Sequence, residues 1–139
     1  MVNQSIIKAK MISIENNLGR LKEKQSIALE KLKNDKDVQD IILHNLQLAI
    51  QGCIDIASHI ISDEGWQLPD TLAGLFEILR QHGVITVELQ DNLKKMVGFR
   101  NIIIHEYGAI DLDKVYTILT RDVIDIYDFL KQVCSYSKI

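Results

Sequence analysis

Apolar residues recur three and four positions apart over most of the 139-residue chain, which is the spacing of one face of an α-helix. The first run predicts a helix from about Asn3 to Lys33. Its heptad seam consists of Ile7, Met11, Ile14, Leu18, Leu21, Gln25, Ala28 and Leu32. The second run, capped by Asn34 or Asp35, predicts a helix to about Ser62. Apolar residues surround most of that helix, so we expect it at the centre of the fold.

Turn residues divide the rest of the chain into three further helices. Pro69 lies in the first turn of a short helix that ends at about His82, before Gly83. The last helix is capped by Asp111. Because short loops join the helices, neighbours run antiparallel. We therefore predict an all-α fold: an up-and-down antiparallel helical bundle of four long helices plus one short helix, forming a single domain over residues 1–139.

The penultimate helix carries the candidate functional residues. Thr86 is its predicted N-cap, the helix runs to Glu106 or Tyr107, and Gly108 provides a left-handed C-terminal stop. Between Gly98 and Gly108, an arginine, a carboxamide, a histidine and a tyrosine gather within an apolar helical pattern. No other stretch of the sequence combines these side chains.

On a helical wheel, Arg100 lies in the middle of an apolar arc, whereas Asn101 and His105 share a narrower polar strip. A guanidinium on such a face needs an anionic partner, a bound anion or a cleft that stays wet. The arc also exceeds the roughly 100° stripe that a surface helix gives to one core. We therefore expect a second subunit across a two-fold axis, with two copies of Arg100 and His105 in one groove.

The second helix carries a polar strip, made of His44, Gln47, Gln51, Asp55, Ser58 and Ser62. One interpretation is a narrow solvent-exposed edge. The other places Asp55 and His59, which are four residues apart, near the Arg100 groove as an ion partner or as supporting residues. The requirement of Arg100 for an anionic neighbour motivates the second interpretation.

Composition limits the functions that the chain can have. Sixteen Lys and Arg residues against nineteen Asp and Glu residues give a net charge of -3, which argues against a basic surface that coats nucleic acid. Any RNA contact must be a local site. The two cysteines, Cys53 and Cys134, lack metal or redox spacing. No signal peptide or membrane span is evident, so we expect a cytoplasmic protein without a metal or cofactor and with neither membrane nor DNA as a partner.

The spacing Arg100, four residues, His105, one residue, Tyr107 resembles the Arg-x4-His-x-Tyr signature of HepT-like toxins in the HEPN superfamily of ribonucleases. The segments Cys53–Ile60, Leu68–Pro69 and Met96–Asn101 are also similar to that family. The resemblance covers nearly the whole chain, and the motif itself shows no departure.

This resemblance implies an HEPN-like bundle and a metal-independent endoribonuclease that acts as a homodimer on tRNA or mRNA. It also implies an MntA-like nucleotidyltransferase antitoxin as a partner, in a hetero-oligomer of unspecified size. That antitoxin would neutralise the toxin by attaching AMP to the motif tyrosine, which here is Tyr107.

The chemistry of the motif fits this activity, because RNA can be cut through its own 2′-hydroxyl without a metal. His105 can serve as base or acid at neutral pH. Arg100 presents a planar fork to phosphate oxygens. Asn101 can orient the imidazole of His105 or hold a phosphate oxygen.

Two other functions stay open on the sequence. One is a non-catalytic subunit that binds a nucleotide or substrate for a minimal nucleotidyltransferase, which would need mainly Arg100. The other is a structural helical dimer, which would need Arg100 and His105 only for stability.

Overall fold

The computed structural model describes residues 2–139, and helices are the regular secondary structure found in that range. The helices are α1 (Gln4–Lys22), α2 (Leu29–Asn34), α3 (Lys36–Asp63), α4 (Leu72–Gln81), α5 (Val87–His105), α6 (Leu112–Thr117) and α7 (Ile124–Ser137). A 3-10 turn (Tyr107–Ala109) follows α5, and a π-helical turn (Ile118–Asp122) joins α6 to α7. The all-α prediction is confirmed.

The long helices run antiparallel to their neighbours, as predicted. The backbone N–H of Asn3, before α1, donates to Asp63 Oδ2 at the end of α3 (2.9 Å). The backbone N–H of Thr86, before α5, donates to Gln132 Oε1 near the end of α7 (3.0 Å). These contacts join the start of one helix to the end of the next and define an up-and-down bundle around one continuous apolar core.

Helix α3 lies at the centre because it is apolar around most of its circumference. Asp35 caps it by accepting from the backbone N–H of Val38 (3.2 Å), so the predicted start is confirmed. Helix α1 packs closely on it at Gly52, where an added Cβ would lie 2.4 Å from Cγ1 of the buried Ile14. A glycine at this position is therefore part of the α1–α3 interface.

By length and mean hydropathy, α3 is the one described helix that could cross a membrane. The sequence analysis found no such span. In the structure, 56% of the most apolar window of α3 is buried inside the bundle. This burial is typical of the core helix of a globular domain.

The first helix is shorter than predicted. It ends at Lys22, the chain turns, and α2 begins at Leu29. The seam positions in between are weak: Ala28 is exposed, and the side chain of Gln25 donates to the backbone carbonyl of Leu119 instead (3.3 Å). Since neither residue offers much apolar area, a straight helix would gain little there, whereas the turn buries Leu32 completely.

Helices α4 and α5 begin near the predicted positions, and α4 also ends where predicted. Thr86 caps α5 by accepting from the backbone N–H of Leu89 (3.3 Å). Helix α4 starts after Thr71, slightly later than predicted from Pro69, and Gly83 follows it with a φ of 76°. A positive φ at Gly83 explains why glycine stands at that stop.

The end of α5 differs from the prediction. Gly108 does not take a left-handed conformation; within residues 2–139, positive φ occurs only at Gly65, Gly83 and Lys138. The chain instead continues into the 3-10 turn, closed by a bond from the backbone N–H of Ala109 to the carbonyl of Glu106 (2.9 Å). This tighter turn satisfies the backbone without a glycine at the helix end.

Most of the apolar arc of α5 is covered by this chain itself. Leu93, Met96, Val97, Phe99 and Ile103 are each at most 4% exposed, because α5 lies between α3, α4 and α7. Ile104, which belongs to the same arc, is 40% exposed, so a smaller part of the arc is left for a second subunit than its width alone suggests. The homodimer itself stays a prediction.

Candidate active site

The motif residues lie at the end of the bundle where α5 ends and α3 begins. Arg100 and Asn101 are in the last turns of α5, His105 is its final residue, and Tyr107 lies in the 3-10 turn. Asn101, His105 and Tyr107 are exposed, whereas Arg100 is half-buried. Three of the four side chains can therefore reach a ligand in solvent.

The guanidinium of Arg100 is only partly satisfied. Its Nη1 donates to Asn101 Oδ1 (2.9 Å), but its Nε is buried and has no acceptor. Among residues 2–139, no carboxylate lies within 4.0 Å of it to form an ion pair. Of the three possibilities that the sequence analysis gave for Arg100, an anionic side-chain partner is therefore not found within residues 2–139. A buried donor without an acceptor costs about 1–3 kcal/mol, so a bound anion would be favoured here.

Asn101 contacts Arg100 and shares an exposed face with His105. Its Oδ1 accepts from Arg100, which leaves Nδ2 as the group able to donate to a phosphate oxygen or to the imidazole. On a helix, the Cβ atoms of residues four apart are about 5–6 Å from each other. Both interactions predicted for Asn101 are therefore sterically available.

Tyr107 is held by a residue that the sequence analysis missed. Its hydroxyl donates to Oδ1 of Asp40, which lies on the second turn of α3. This hydrogen bond, together with partial burial and the negative charge of Asp40, raises the pKa of Tyr107 to about 12. The hydroxyl is thus held by Asp40, while the residue as a whole is 49% exposed.

A signal for Asp40 was present in the sequence. The polar strip of the second helix begins at His44, and Asp40 stands four residues earlier, on the same helical face. Extending the strip by one turn would have included it. The pairing with Tyr107, 67 residues away, could not be read from spacing.

Asp55 has partners elsewhere. Its Oδ1 accepts from Gln51 Nε2 (2.9 Å) and its Oδ2 lies 3.9 Å from Lys10 Nζ. It lines a groove of about 570 Å³ between α1 and α3. No hydrogen bond or ion pair joins it to Arg100. His59 is half-buried one turn further along α3. The supporting role suggested for these two residues stays a prediction.

Within residues 2–139, Cys53 and Cys134 form no disulfide. Cys53 is buried, and burial raises the pKa of its thiol, while Cys134 is half-buried. Within residues 2–139, no group of three His, Cys, Asp or Glu side chains is arranged to hold a metal ion.

The fold and the motif define a class of small all-helical proteins that carry an Arg-x4-His-x-Tyr motif at the end of a core-packed helix. The family model described as ribonuclease HepT-like matches residues 14–133. This match spans most of the chain, so the chain belongs to the HepT-like family, and the resemblance seen in the sequence is confirmed.

Named relatives share this classification. An mRNA nuclease HepT of Shewanella oneidensis is 39% identical over 100 residues, covering 72% of this chain and 75% of the relative. A tRNA nuclease HepT of Aphanizomenon flos-aquae is 29% identical, covering 94% of this chain and 89% of the relative.

A solved structure is also similar, namely a tri-AMPylated Shewanella oneidensis HEPN toxin in complex with an MNT antitoxin. It is 34% identical to this chain, covers 96% of it and 99% of its own length, and superposes with a TM-score of 0.87. The predicted HEPN-like fold is therefore confirmed.

Proposed function

We propose that this protein is a metal-independent endoribonuclease, the toxin of a toxin–antitoxin pair, which cleaves RNA with Arg100, Asn101 and His105. Its relatives include nucleases named for mRNA and for tRNA. The substrate is accordingly RNA, and the protein works in the cytoplasm, where those RNAs are found.

One observation carries the proposal: within residues 2–139, Arg100 has a buried Nε without an acceptor and no carboxylate partner, and it lies beside exposed Asn101 and His105. A cation that is half-buried and left unpaired by its own fold is suited to a phosphate. The planar guanidinium can donate two parallel hydrogen bonds to the oxygens of a pentavalent phosphorus intermediate.

The chemistry needs no group beyond these side chains and the RNA itself. The imidazole of His105 takes the proton from a 2′-hydroxyl, whose oxygen forms a bond to the adjacent phosphorus. The bond from phosphorus to the 5′-oxygen then breaks, and that oxygen needs a proton. In a homodimer groove, His105 of the second copy supplies it, while Arg100 stabilises the negative charge on the phosphate.

The same site accounts for neutralisation by a partner. A relative of this chain was solved as a tri-AMPylated toxin with an MNT antitoxin. In this chain the AMP acceptor is Tyr107, and the enzyme that modifies it is an MntA-like nucleotidyltransferase. Phosphates attached next to Arg100 and His105 would occupy the groove and pair with its cations.

The test is RNA cleavage in the presence of EDTA by unmodified wild type and His105→Ala. We expect cleavage by the wild type and a loss of about 100-fold or more in the variant, because general acid–base catalysis contributes about 10²–10⁴-fold. His82→Ala is the matched control, since His82 is an exposed histidine that stacks on Trp66 at the opposite end of the bundle (3.7 Å between ring centroids).

Circular dichroism must show that all three proteins are folded, and mass spectrometry that Tyr107 is unmodified. If the wild type cut neither tRNA nor total cellular RNA, the ribonuclease would be ruled out. The chain would then be a nucleotide-binding or substrate-binding subunit of its nucleotidyltransferase, and binding would depend on Arg100.

A further inference from the structure

The contact between Tyr107 and Asp40 is not used by the ribonuclease chemistry. It joins the exposed 3-10 turn after α5 to an exposed carboxylate on α3. Asp40 forms no ion pair with any cation in residues 2–139, so the hydroxyl of Tyr107 is its one side-chain partner there. An ionised carboxylate only accepts hydrogen bonds, and Asp40 here accepts from the hydroxyl of Tyr107.

We propose that Asp40 is a catalytic residue for the nucleotidylation of Tyr107, accepting the proton of the tyrosine hydroxyl as the AMP group is transferred. This inference rests on the proposed function, since it requires Tyr107 to be the acceptor. It assigns to the toxin itself a chemical group for its own neutralisation, in addition to the groups of the antitoxin.

The transfer of AMP forms one O–P bond and breaks another. Tyr107 Oη attacks the α-phosphorus of ATP held by the antitoxin and forms the new O–P bond. The bond from that phosphorus to the bridging oxygen breaks, and pyrophosphate leaves with the electron pair. The proton of Oη passes to Asp40 Oδ1, to which it is already hydrogen-bonded, and then to solvent.

The environment of the hydroxyl makes an acceptor necessary. The pKa of Tyr107 is about 12, so at neutral pH the hydroxyl keeps its proton until a base removes it. The residue is 49% exposed, so the antitoxin can reach its side chain from solvent. A carboxylate already in contact with the nucleophilic hydroxyl is the arrangement that base-assisted nucleophiles share.

The test measures the single-turnover rate of AMP attachment to Tyr107 by intact-protein mass spectrometry. The reaction contains ATP, Mg²⁺ and a saturating amount of an MntA-like nucleotidyltransferase. Saturation removes any effect on docking, so the rate reports the transfer step. The variants are Asp40→Asn, Asp40→Ser and Asp40→Glu, and the matched control is Asp37→Asn, another exposed carboxylate in the first turn of α3.

We expect Asp40→Asn and Asp40→Ser to slow the transfer about 100-fold, because neither can accept the proton. Asp40→Glu should restore a substantial part of the rate, and Asp37→Asn should stay within about twofold of the wild type. Two variants without a carboxylate guard against a folding defect in one of them, which thermal melting would reveal.

A rate for folded Asp40→Asn equal to that of the wild type would overturn the inference alone and leave Tyr107 as the acceptor. A rate for Asp40→Glu no higher than that for Asp40→Asn would also overturn it. A carboxylate at this position would then be no better than an amide, which can accept a hydrogen bond but not the proton. If wild-type Tyr107 received no AMP at all, both the inference and the proposed neutralisation would fail, while the ribonuclease assay would be unaffected.

Discussion

The two halves of α5 differ in whether their polar side chains have partners on neighbouring helices. In the first half, Gln90 accepts from Arg80 Nε (2.7 Å), Asn92 donates to Asp125 (3.2 Å), and Lys94 pairs with Glu77. Each of these three side chains is satisfied by a neighbouring helix.

In the second half, Arg100 bonds only to the adjacent Asn101 among the described residues 2–139, where its buried Nε also has no acceptor, and His105 is exposed. The apolar Ile104 is also 40% exposed in this half. One helix thus combines a part whose polar groups hold the bundle together with a part whose polar groups are left for something outside it. Mutations in the two halves should therefore have opposite effects on stability and on activity.

The largest effect is expected for Arg100→Ala. RNA cleavage should fall about 100- to 1000-fold, because the phosphate loses its main cation. The melting temperature should stay the same or rise, because the variant removes a buried donor that has no acceptor. Cleavage assays and calorimetry measure the two quantities on the same preparation.

Arg100→Lys is the companion variant, since it keeps the charge but loses the planar fork. We expect most of the activity to be lost here too. A marked drop in melting temperature for Arg100→Ala would show that Arg100 stabilises the fold and would remove the contrast between the two halves.

The reverse outcome is expected for Gln90→Ala in the first half. Gln90 is 7% exposed, and its loss leaves Arg80 Nε without its acceptor. We expect unfolding to become easier by about 1–3 kcal/mol, measured by urea denaturation. RNA cleavage per folded molecule should not change.

Gln90→Glu is the matched control for this variant, because it preserves an oxygen that can accept from Arg80. Its stability should be closer to the wild type. Equal destabilisation by both variants would mean that the hydrogen bond is not the cause.

The smallest effect concerns the ionisation of Tyr107. In Asp40→Asn, the negative charge beside the hydroxyl is removed, so the pKa of Tyr107 should fall from about 12 towards its ordinary value of 10. Ultraviolet titration of each protein, with the curve of its Tyr107→Phe counterpart subtracted, isolates this tyrosine from Tyr136, whose pKa is also raised to about 12.

The sign of the linked stability follows from the raised value. The folded state holds the Tyr107 proton more tightly than the unfolded chain, so this contribution to stability is complete below pH 10 and is lost as pH rises towards 12. The wild type should lose more stability over that interval than Asp40→Asn. Equal losses would show that Asp40 does not control the ionisation.

Features fixed by local interactions were predictable from the sequence. Asp35 and Thr86 cap α3 and α5 as expected, because each accepts from a backbone N–H only three residues away. The heptad seam predicted too long a first helix, since periodicity counts Gln25 and Ala28 as seam members although they bury little apolar area. The prediction of a left-handed stop at Gly108 was wrong for a similar reason. A glycine permits a left-handed conformation but does not require one.

The same distinction, between neighbours along the chain and contacts between distant segments, applies to the candidate site. Arg100, Asn101 and His105 could be placed together because they are neighbours on one helix. Asp40 could not be paired with Tyr107, because that contact depends on how α3 and the turn after α5 meet in space. The width of the apolar arc of α5 was also a poor guide to a second subunit. Periodicity gives the extent of an apolar face but not which helices cover it.

Besides the motif residues, Gly52 is a position where a single amino-acid substitution should inactivate the protein, because α1 and α3 approach closely there. Any side chain there must displace Ile14 from the α1–α3 interface. In a random-mutagenesis screen for inactive clones, substitutions at Gly52 would thus appear alongside those at the motif residues. The two groups would separate on a blot: motif variants would accumulate to normal amounts, whereas Gly52 variants would be cleared by proteases.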